Sequence, residues 1–299
     1  MLTSLWSIAA MDQAVDIISS NTVSFTGADG NKLLGSCWSG FTPESAHGSR
    51  TVLLLHGGGQ TRHSWQGTAE TLTRHGWRAL SVDQRGHGES DWVEDGDYTF
   101  HAYSRDVRCV AEHIKQEHGQ APVLIGASLG GLAGLQAAVD HDDCLSALVL
   151  VDITPFVKAD GVQCILGFMA ESAEAGFETL EAASNAIAAY LPHRPKPASL
   201  SGLAKNLRLD DDGRYRWHWD PRFLDSRRDA NEHAGQARQH LGEMAARLSI
   251  PTLLVRGRES ELVGEDEARQ FLELVPHARL TDVSGARHMV AGDRNDVFT

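Results

Sequence analysis

Cysteine is scarce in this chain: four residues among 299, Cys37, Cys109, Cys144 and Cys164, with no C-x-x-C spacing. Scattered single thiols exclude a disulfide framework and a thiolate metal cage, and they read as reduced thiols of a cytoplasmic protein. Long apolar runs are missing too, so no segment reaches membrane-spanning length. Met1 to Ala10 is mildly apolar but lacks the basic flank of a secretory signal, which argues against export. Positive charge is in short supply, with 27 Lys and Arg against 40 Asp and Glu and a net charge of −13. That balance disfavours nucleic acid, anionic membrane surfaces and polyanionic substrates as partners. There is no phosphate-binding loop, no dinucleotide-type glycine motif and no metal-spaced set of His and acidic residues. No cofactor and no metal are therefore expected. Internal repeats and low-complexity tracts are also absent.

What is present is material for a large core. Hydrophobic residues make up 41%, and the length suits one large α/β domain with an inserted subdomain, or two domains. After an N-terminal extension over 1–20, two strands are expected at Thr22–Phe25 and Leu33–Trp38, turned by Gly27 to Asn31. Gly40 to Arg50 reads as loop. Short, mainly apolar runs follow at Thr51–Leu55, Arg78–Asp83, Val123–Ile125 and Ala147–Val151, each bounded by turn residues. Such runs are the mark of strands buried on both faces of a parallel sheet. Between them lie helical patterns at about 64–75, 100–117 and 129–140; the second carries Tyr103, Val107, Val110 and Ile114 on one face. The alternation stops after Pro155 and resumes at Ile250–Gly257, with a helix over about 265–274 and a strand at Ala278–Val283. The intervening stretch, 153–248, shows helical patterns, including 228–247, and no strand-like run. The resulting division is core over 21–152, insertion over 153–248 and core again over 249–299.

The chain is organised around Pro122 to Gly131, where Gly126-Ala127-Ser128-Leu129-Gly130 matches G-x-S-x-G between a strand and a helix. The spacing has a steric reason. The turn at the serine is tight and strained, and side chains two residues before and after it would strike the adjoining strand and helix. Such a turn lifts the serine hydroxyl to the carboxyl edge of the sheet. It also aims the N–H of Leu129 at the place where an oxyanion would form.

Four stretches, each at a strand end and in the same order, resemble the α/β-hydrolase family: His56-Gly57-Gly58-Gly59, Asp83 to Ser90, the turn at Ser128, and Gly285-Ala286-Arg287-His288. The resemblance covers roughly Asn21 to Thr299 and is closest to the epoxide hydrolase, haloperoxidase and C–C hydrolase branch. It implies a mostly parallel eight-stranded sheet with helices on both faces, and a helical lid formed by the insertion. Epoxide hydrolases and haloalkane dehalogenases of that branch carry an aspartate nucleophile; the serine here implies acyl transfer from an ester-like bond. A serine hydroxyl needs a base, and His288 stands where the family's histidine does. For the acid, Glu261 occupies the place just after the serine of the loop following the Val255 strand. Glu259 beside it and Asp152 at the end of the preceding strand are the alternatives. Gly58, with Gly59 in reserve, would join Leu129 in the oxyanion hole. His56 is expected to orient the glycine loop. Arg85, His87 and Asp91 are expected to be structural.

Phe156, Phe168, Met169, Trp217 and Trp219 of the insertion, together with Trp65 beyond the glycine loop, are candidates for a substrate pocket. The resemblance implies a carboxylic-ester hydrolase acting on a small aromatic or aliphatic ester or lactone, monoalkyl phthalates included. A C–C bond hydrolase or cofactor-free perhydrolase on the same residues, and a ligand receptor on the same fold, remain open, as does a homodimer. Relatives continue into a closing helix after the histidine. Asp293 to Thr299 leaves room for its first turn, which suggests a shortened C-terminus.

Overall fold

Alternate residues of one five-residue strand show how the core is divided. In β3 (Thr51–Leu55) every side chain is buried. Leu53 and Leu55 join a large apolar cluster with Tyr103, Val107 and Leu124, while Val52 and Leu54 join a second with Trp38, Trp65 and Val283. A strand's period of two sends neighbouring side chains to opposite faces, so a run apolar at every position needs cover on both. Each buried Leu or Val contributes roughly 1.5–3 kcal/mol relative to exposure.

The computed structural model describes residues 19–40, 50–141, 143–194, 196, 199–226 and 234–290. Most of the expected N-terminal extension, the loop at 41–49, the start of the helical pattern at 228–247 and the C-terminal segment 291–299 lie outside the described residues. The elements are β1 (Ser20–Thr26), β2 (Lys32–Trp38), β3, α1 (Gln66–Arg74), β4 (Arg78–Val82), α2 (Phe100–His118), β5 (Val123–Ala127), α3 (Leu129–Asp140) and β6 (Ala147–Val151). The insertion holds α4 (Ala159–Glu171), α5 (Leu180–Tyr190), α6 (Ser201–Ala204), β7 (Leu207–Leu209), β8 (Tyr215–Trp217) and α7 (Ala234–Ala245). The core closes with β9 (Thr252–Gly257), α8 (Glu265–Leu274) and β10 (Arg279–Val283).

The main sheet has eight strands in the order β1-β2-β4-β3-β5-β6-β9-β10. β2 runs antiparallel to β1 and β4, and the other pairs are parallel. Parallel pairing brings the carboxyl ends of β3, β5, β6 and β9 to one edge. α2 begins on the Thr99 side chain, which accepts the Ala102 N–H, and ends at Gly119 with φ of 75°. Its buried face includes Tyr103, Val107, Val110 and Ile114, as its periodicity required.

One expectation for the insertion fails. It contains a small antiparallel hairpin, β7 with β8, and Tyr215 exchanges both backbone hydrogen bonds with Phe177. Three-residue strands are too short to show a period. The hairpin pairs Leu207 with Trp217 and Leu209 with Tyr215, and Arg216 bridges Asp210 and Asp212 across its turn. Among the described residues no helix is long and apolar enough to cross a membrane.

Candidate active site

Ser128 stands between β5 and α3 with φ 46° and ψ −110°, a conformation that non-glycine residues rarely adopt. Such strain costs on the order of 1–3 kcal/mol and persists only where the surroundings enforce it. Here Ser128 N–H donates to Val151 O at 3.3 Å, and Gly130 N–H donates to His56 O at 3.2 Å. The flanking glycines are required by space. A Cβ on Gly126 would lie 2.4 Å from the Gly130 carbonyl carbon, and one on Gly130 would lie 2.6 Å from Leu55 Cβ. Leu129 opens α3, so its N–H has no acceptor within the helix.

The glycine turn after β3 comes within van der Waals range of the serine: a Cβ on Gly57 would be 3.4 Å from Ser128 Cβ. Its N–H groups are nearly all assigned. Gly57 N–H donates to Gln60 Oε1 at 3.0 Å, Gly59 N–H to His87 Nε2 at 3.2 Å, and Gln60 N–H to Gly57 O at 3.1 Å. Among the described residues this leaves the Gly58 N–H as the turn's uncommitted donor and takes Gly59 out of that role. His56 holds the turn from beneath. Its Nδ1 donates to Gly57 O at 2.8 Å and its Nε2 accepts the Gln84 N–H at 3.0 Å. Complete burial pushes its pKa down to about 4, so the ring stays neutral and keeps that tautomer at neutral pH.

The side chains of Arg85 and Asp91 are tied up in structure. Arg85 forms a two-pronged pair with Asp106, and Asp91 accepts the Lys32 N–H. His87, besides receiving Gly59, donates from Nδ1 to Arg85 O. Gln60 was not singled out by the sequence. Its Nε2 donates to Met289 Sδ at 3.2 Å, tying the glycine turn to the residue beside His288.

The acid facing His288 is Asp152. His288 Nδ1 lies 2.9 Å from Asp152 Oδ2. The carboxylate is fully buried and also accepts the Gly257 N–H at 2.9 Å and the Ser260 hydroxyl at 2.5 Å. Glu261, expected at the imidazole, instead accepts the backbone N–H of His288 at 3.4 Å. Glu259 is exposed, and its N–H donates to Ala286 O. The reason lies in the sheet. β6 and β9 are neighbours, and Val151 pairs with Val255. Asp152 therefore emerges beside Gly257, with its own backbone at φ 50°. A Cβ on Gly257 would be 2.3 Å from Arg287 O, so this glycine lets the histidine loop settle onto β9 within reach of Asp152. The serine that marked the loop for the acid is the acid's hydrogen-bond donor, and Glu261 lies one residue past it.

The aromatic candidates separate. Trp65 is 1% exposed and sits in the core cluster with Trp38, Val52 and Val283, so it is no pocket wall. Phe156 packs under Arg238 and near Gly242 of α7. Trp217 is interior to the insertion, edge-on to Phe168 and Phe177. Phe168 stacks on Tyr190 at 4.2 Å. Trp219 and Met169 do reach the site, with Trp219 Nε1 3.8 Å and Met169 Cε 2.9 Å from a Cβ placed on Gly59. Phe223, unmarked by any sequence signal, covers Gly58. This part of the insertion is fastened to the core. Gly88 N–H donates to His218 O, Asp220 N–H to Gly86 O, Tyr98 OH to Asp220, and Thr61 OH to Asn206. Among the described residues no group of three or more His, Cys, Asp or Glu side chains is placed to hold a metal ion.

Comparison with known proteins agrees with this fold. Residues 50–294 match the family model described as alpha/beta hydrolase fold. Esterase Rv0045c of Mycobacterium tuberculosis is 31% identical over 264 residues, covering 86% of this chain and 80% of that protein. The 2-(acetamidomethylene)succinate hydrolase of Mesorhizobium japonicum is 27% identical over 71% of this chain and 72% of its own length. A crystal structure of E-2-(acetamidomethylene)succinate hydrolase superposes with a TM-score of 0.79 at 21% identity, covering 93% of this chain and 96% of that one. By fold, by the strained serine turn and by these likenesses, the chain belongs to the α/β-hydrolase family.

Proposed function

We propose that this protein is a serine hydrolase that cleaves carboxylic esters through an acyl-enzyme. The observation that carries the reading is the contact between His288 Nδ1 and the buried Asp152 carboxylate at the sheet edge where Ser128 is held in its strained turn. The esterase name of a relative 31% identical over most of the chain supports the reaction class.

In this reading Ser128 Oγ attacks the ester carbonyl, and His288 Nε2 takes its proton. Asp152 accepts the hydrogen bond from Nδ1–H, fixes the tautomer and stabilises the imidazolium. The carbonyl oxygen becomes an oxyanion and is met by the N–H groups of Leu129 and Gly58. His288 then returns the proton to the departing alcohol. Water, deprotonated by the same imidazole, releases the acid and frees Ser128. No charged group beyond the chain's own is required. The insertion acts as the lid, with Trp219, Phe223 and Met169 keeping the glycine turn dry.

The test is hydrolysis of p-nitrophenyl acetate together with fluorophosphonate labelling. Ser128→Ala should lower kcat by about 10⁶ while leaving the circular dichroism spectrum and Tm unchanged. The fluorophosphonate should attach at Ser128. More than a tenth of the wild-type rate in Ser128→Ala, or labelling elsewhere, would overturn the reading.

A further inference from the structure

The insertion meets the core unevenly around the site. Over the glycine turn it is in contact, with Phe223 Cζ and Met169 Cε each 2.9 Å from a Cβ placed on Gly58 and Gly59 respectively. On the histidine side the start of α4 is fastened to the loop after β9, with Lys158 N–H donating to Leu262 O at 2.9 Å and a Cβ on Gly161 2.4 Å from Glu261 O, but the space beside that contact is not filled. Between the start of α4, the end of α5 and the loops bearing Glu261 and Arg287 lies a cleft of about 530 Å³. The cleft adjoins the catalytic loop directly: Glu261 lines it and also accepts the backbone N–H of His288, and Arg287 is the residue before that histidine.

We propose that this cleft is the leaving-group subsite and takes a bulky, uncharged, aromatic or alicyclic alcohol. The proposal rests on the ester-hydrolase reading above. The base that deprotonates the serine later protonates the departing oxygen, so the alcohol must lie on the histidine side. The glycine turn receives the carbonyl oxygen, and its roof is already filled. The volume falls within the range, roughly 300–1,000 Å³, that holds groups of several rings.

The lining selects against charge. Lys158 and Arg287 are matched in number by Asp160 and Glu261, with His193 the remaining titratable group of the lining, so the cleft carries no excess of either sign to favour an ionised alcohol while His193 is neutral. Cys164, Tyr190, Leu191 and Pro192 supply the apolar surface. Tyr190 is held by its stack on Phe168. Burial, and then the neighbouring Cys164 and Glu261, push its phenol up to about 12, so that wall is neutral at working pH.

The cleft also carries its own handle. Cys164 is exposed, Cys144 is buried, and Cys37 and Cys109 are partly covered. Burial raises the pKa of those three other thiols and so lowers their reactivity. A bulky maleimide should therefore react at Cys164 in the folded enzyme.

The experiment compares acetates of methanol, benzyl alcohol and 2-naphthylmethanol, whose similar acidities hold the leaving-group chemistry constant. In the unmodified protein kcat/KM should rise at least tenfold from methyl to naphthylmethyl. Labelling Cys164 with a pyrenyl maleimide, or the substitution Cys164→Trp, should erase that rise, bringing the three acetates within about twofold of one another. Cys164→Ala treated with the maleimide should keep the rise from methyl to naphthylmethyl. A flat ranking, a preference for carboxylate-bearing alcohols, or a rise that survives labelling would overturn the proposal. Failure to hydrolyse any acetate, with no fluorophosphonate labelling of Ser128, would instead overturn the ester reading beneath it.

Discussion

Two carboxylates approach His288 from the ends of adjacent strands, and they are held in different ways. Asp152, just past β6, is fully buried and accepts three hydrogen bonds, from Gly257 N–H, the Ser260 hydroxyl and the imidazole. Glu261, past β9, is half-buried and borders the open cleft, and among the described residues its carboxylate accepts one hydrogen bond, from the backbone N–H of the same histidine. Both lie in loops at the same sheet edge. The difference is one of fixation. A carboxylate that must hold one tautomer through a reaction cycle needs its own lone pairs satisfied from a rigid backbone. Asp152 has that support and Glu261 does not.

The sharpest way to break this comparison is Asp152→Asn. The amide keeps the shape but would offer the imidazole a donor where an acceptor is needed. By analogy with triads treated in this way, kcat should fall about 10⁴-fold, with Ser128 still in place and Tm little changed. A rate within tenfold of wild type, read with p-nitrophenyl acetate, would return the acid's role to Glu261.

A second test addresses the far side of the imidazole loop. Gln60 accepts the Gly57 N–H and donates to Met289, so one carboxamide ties the oxyanion-side turn to the histidine loop. Gln60→Ala should lower kcat by about 10² while KM moves less than threefold, comparable to the loss of one oxyanion donor. Gln60→Glu keeps the acceptor and loses the donor, and should fall between the two. Inhibition by a boronic acid should weaken in step with kcat/KM, because both report on the oxyanion site. If the inhibitor binds Gln60→Ala as tightly as wild type, the carboxamide is a surface turn residue.

The core was readable in the sequence because its signals are local. Thr51–Leu55 could only be a strand covered on both faces, and α2 announced its buried stripe at Tyr103, Val107, Val110 and Ile114. The serine turn was readable because Gly126 and Gly130 are demanded by sterics on either side of it. Which carboxylate faces His288 was not, since that depends on which strands are neighbours. The order β6-β9, and the room Gly257 leaves for the Arg287 carbonyl, are properties of the folded sheet. The insertion was the least legible part. β7 and β8 are three residues each, and Phe223 reaches Gly58 from a turn that no periodicity marks. Trp65 misled because proximity in sequence to the glycine loop is not proximity to the space above it. A strand end can send the next helical turn to either face of the sheet, and this one packs beneath.

Ser260 sharpens the comparison from the side of the acid's support. Its hydroxyl donates to Asp152 and accepts the N–H groups of Leu262 and Val263, each at 3.0 Å. Ser260→Ala removes one of the carboxylate's donors and orphans two buried N–H groups. A loss of about 1–3 kcal/mol in stability is expected, along with about tenfold in kcat as Asp152 gains freedom. Ser260→Thr should recover most of both. A variant that loses stability with kcat intact would show that Ser260 braces the loop and leaves the acid's placement to Gly257.

The smallest effect is expected at Glu261, the residue that loop pattern favoured. Its one bond at the site is to a backbone N–H, at 3.4 Å, and a glutamine oxygen can accept that bond equally well. What Glu261→Gln removes is charge, and at a half-buried position open to a solvated cleft the field of one carboxylate is strongly screened. The imidazolium that forms in the reaction is already countered by Asp152 at 2.9 Å. Glu261→Gln should therefore stay within threefold of wild type in kcat. Any change should appear in KM for alcohols large enough to enter the cleft, because removing this carboxylate leaves Lys158 and Arg287 outnumbering Asp160 there. Glu261→Asp, which retains the charge but draws it back by one methylene, should be as active as Glu261→Gln. A residue serving as the triad acid would show the opposite order, with aspartate far better than glutamine. Measured on methyl acetate, where the cleft is empty of substrate, that order alone decides which of the two carboxylates serves the histidine.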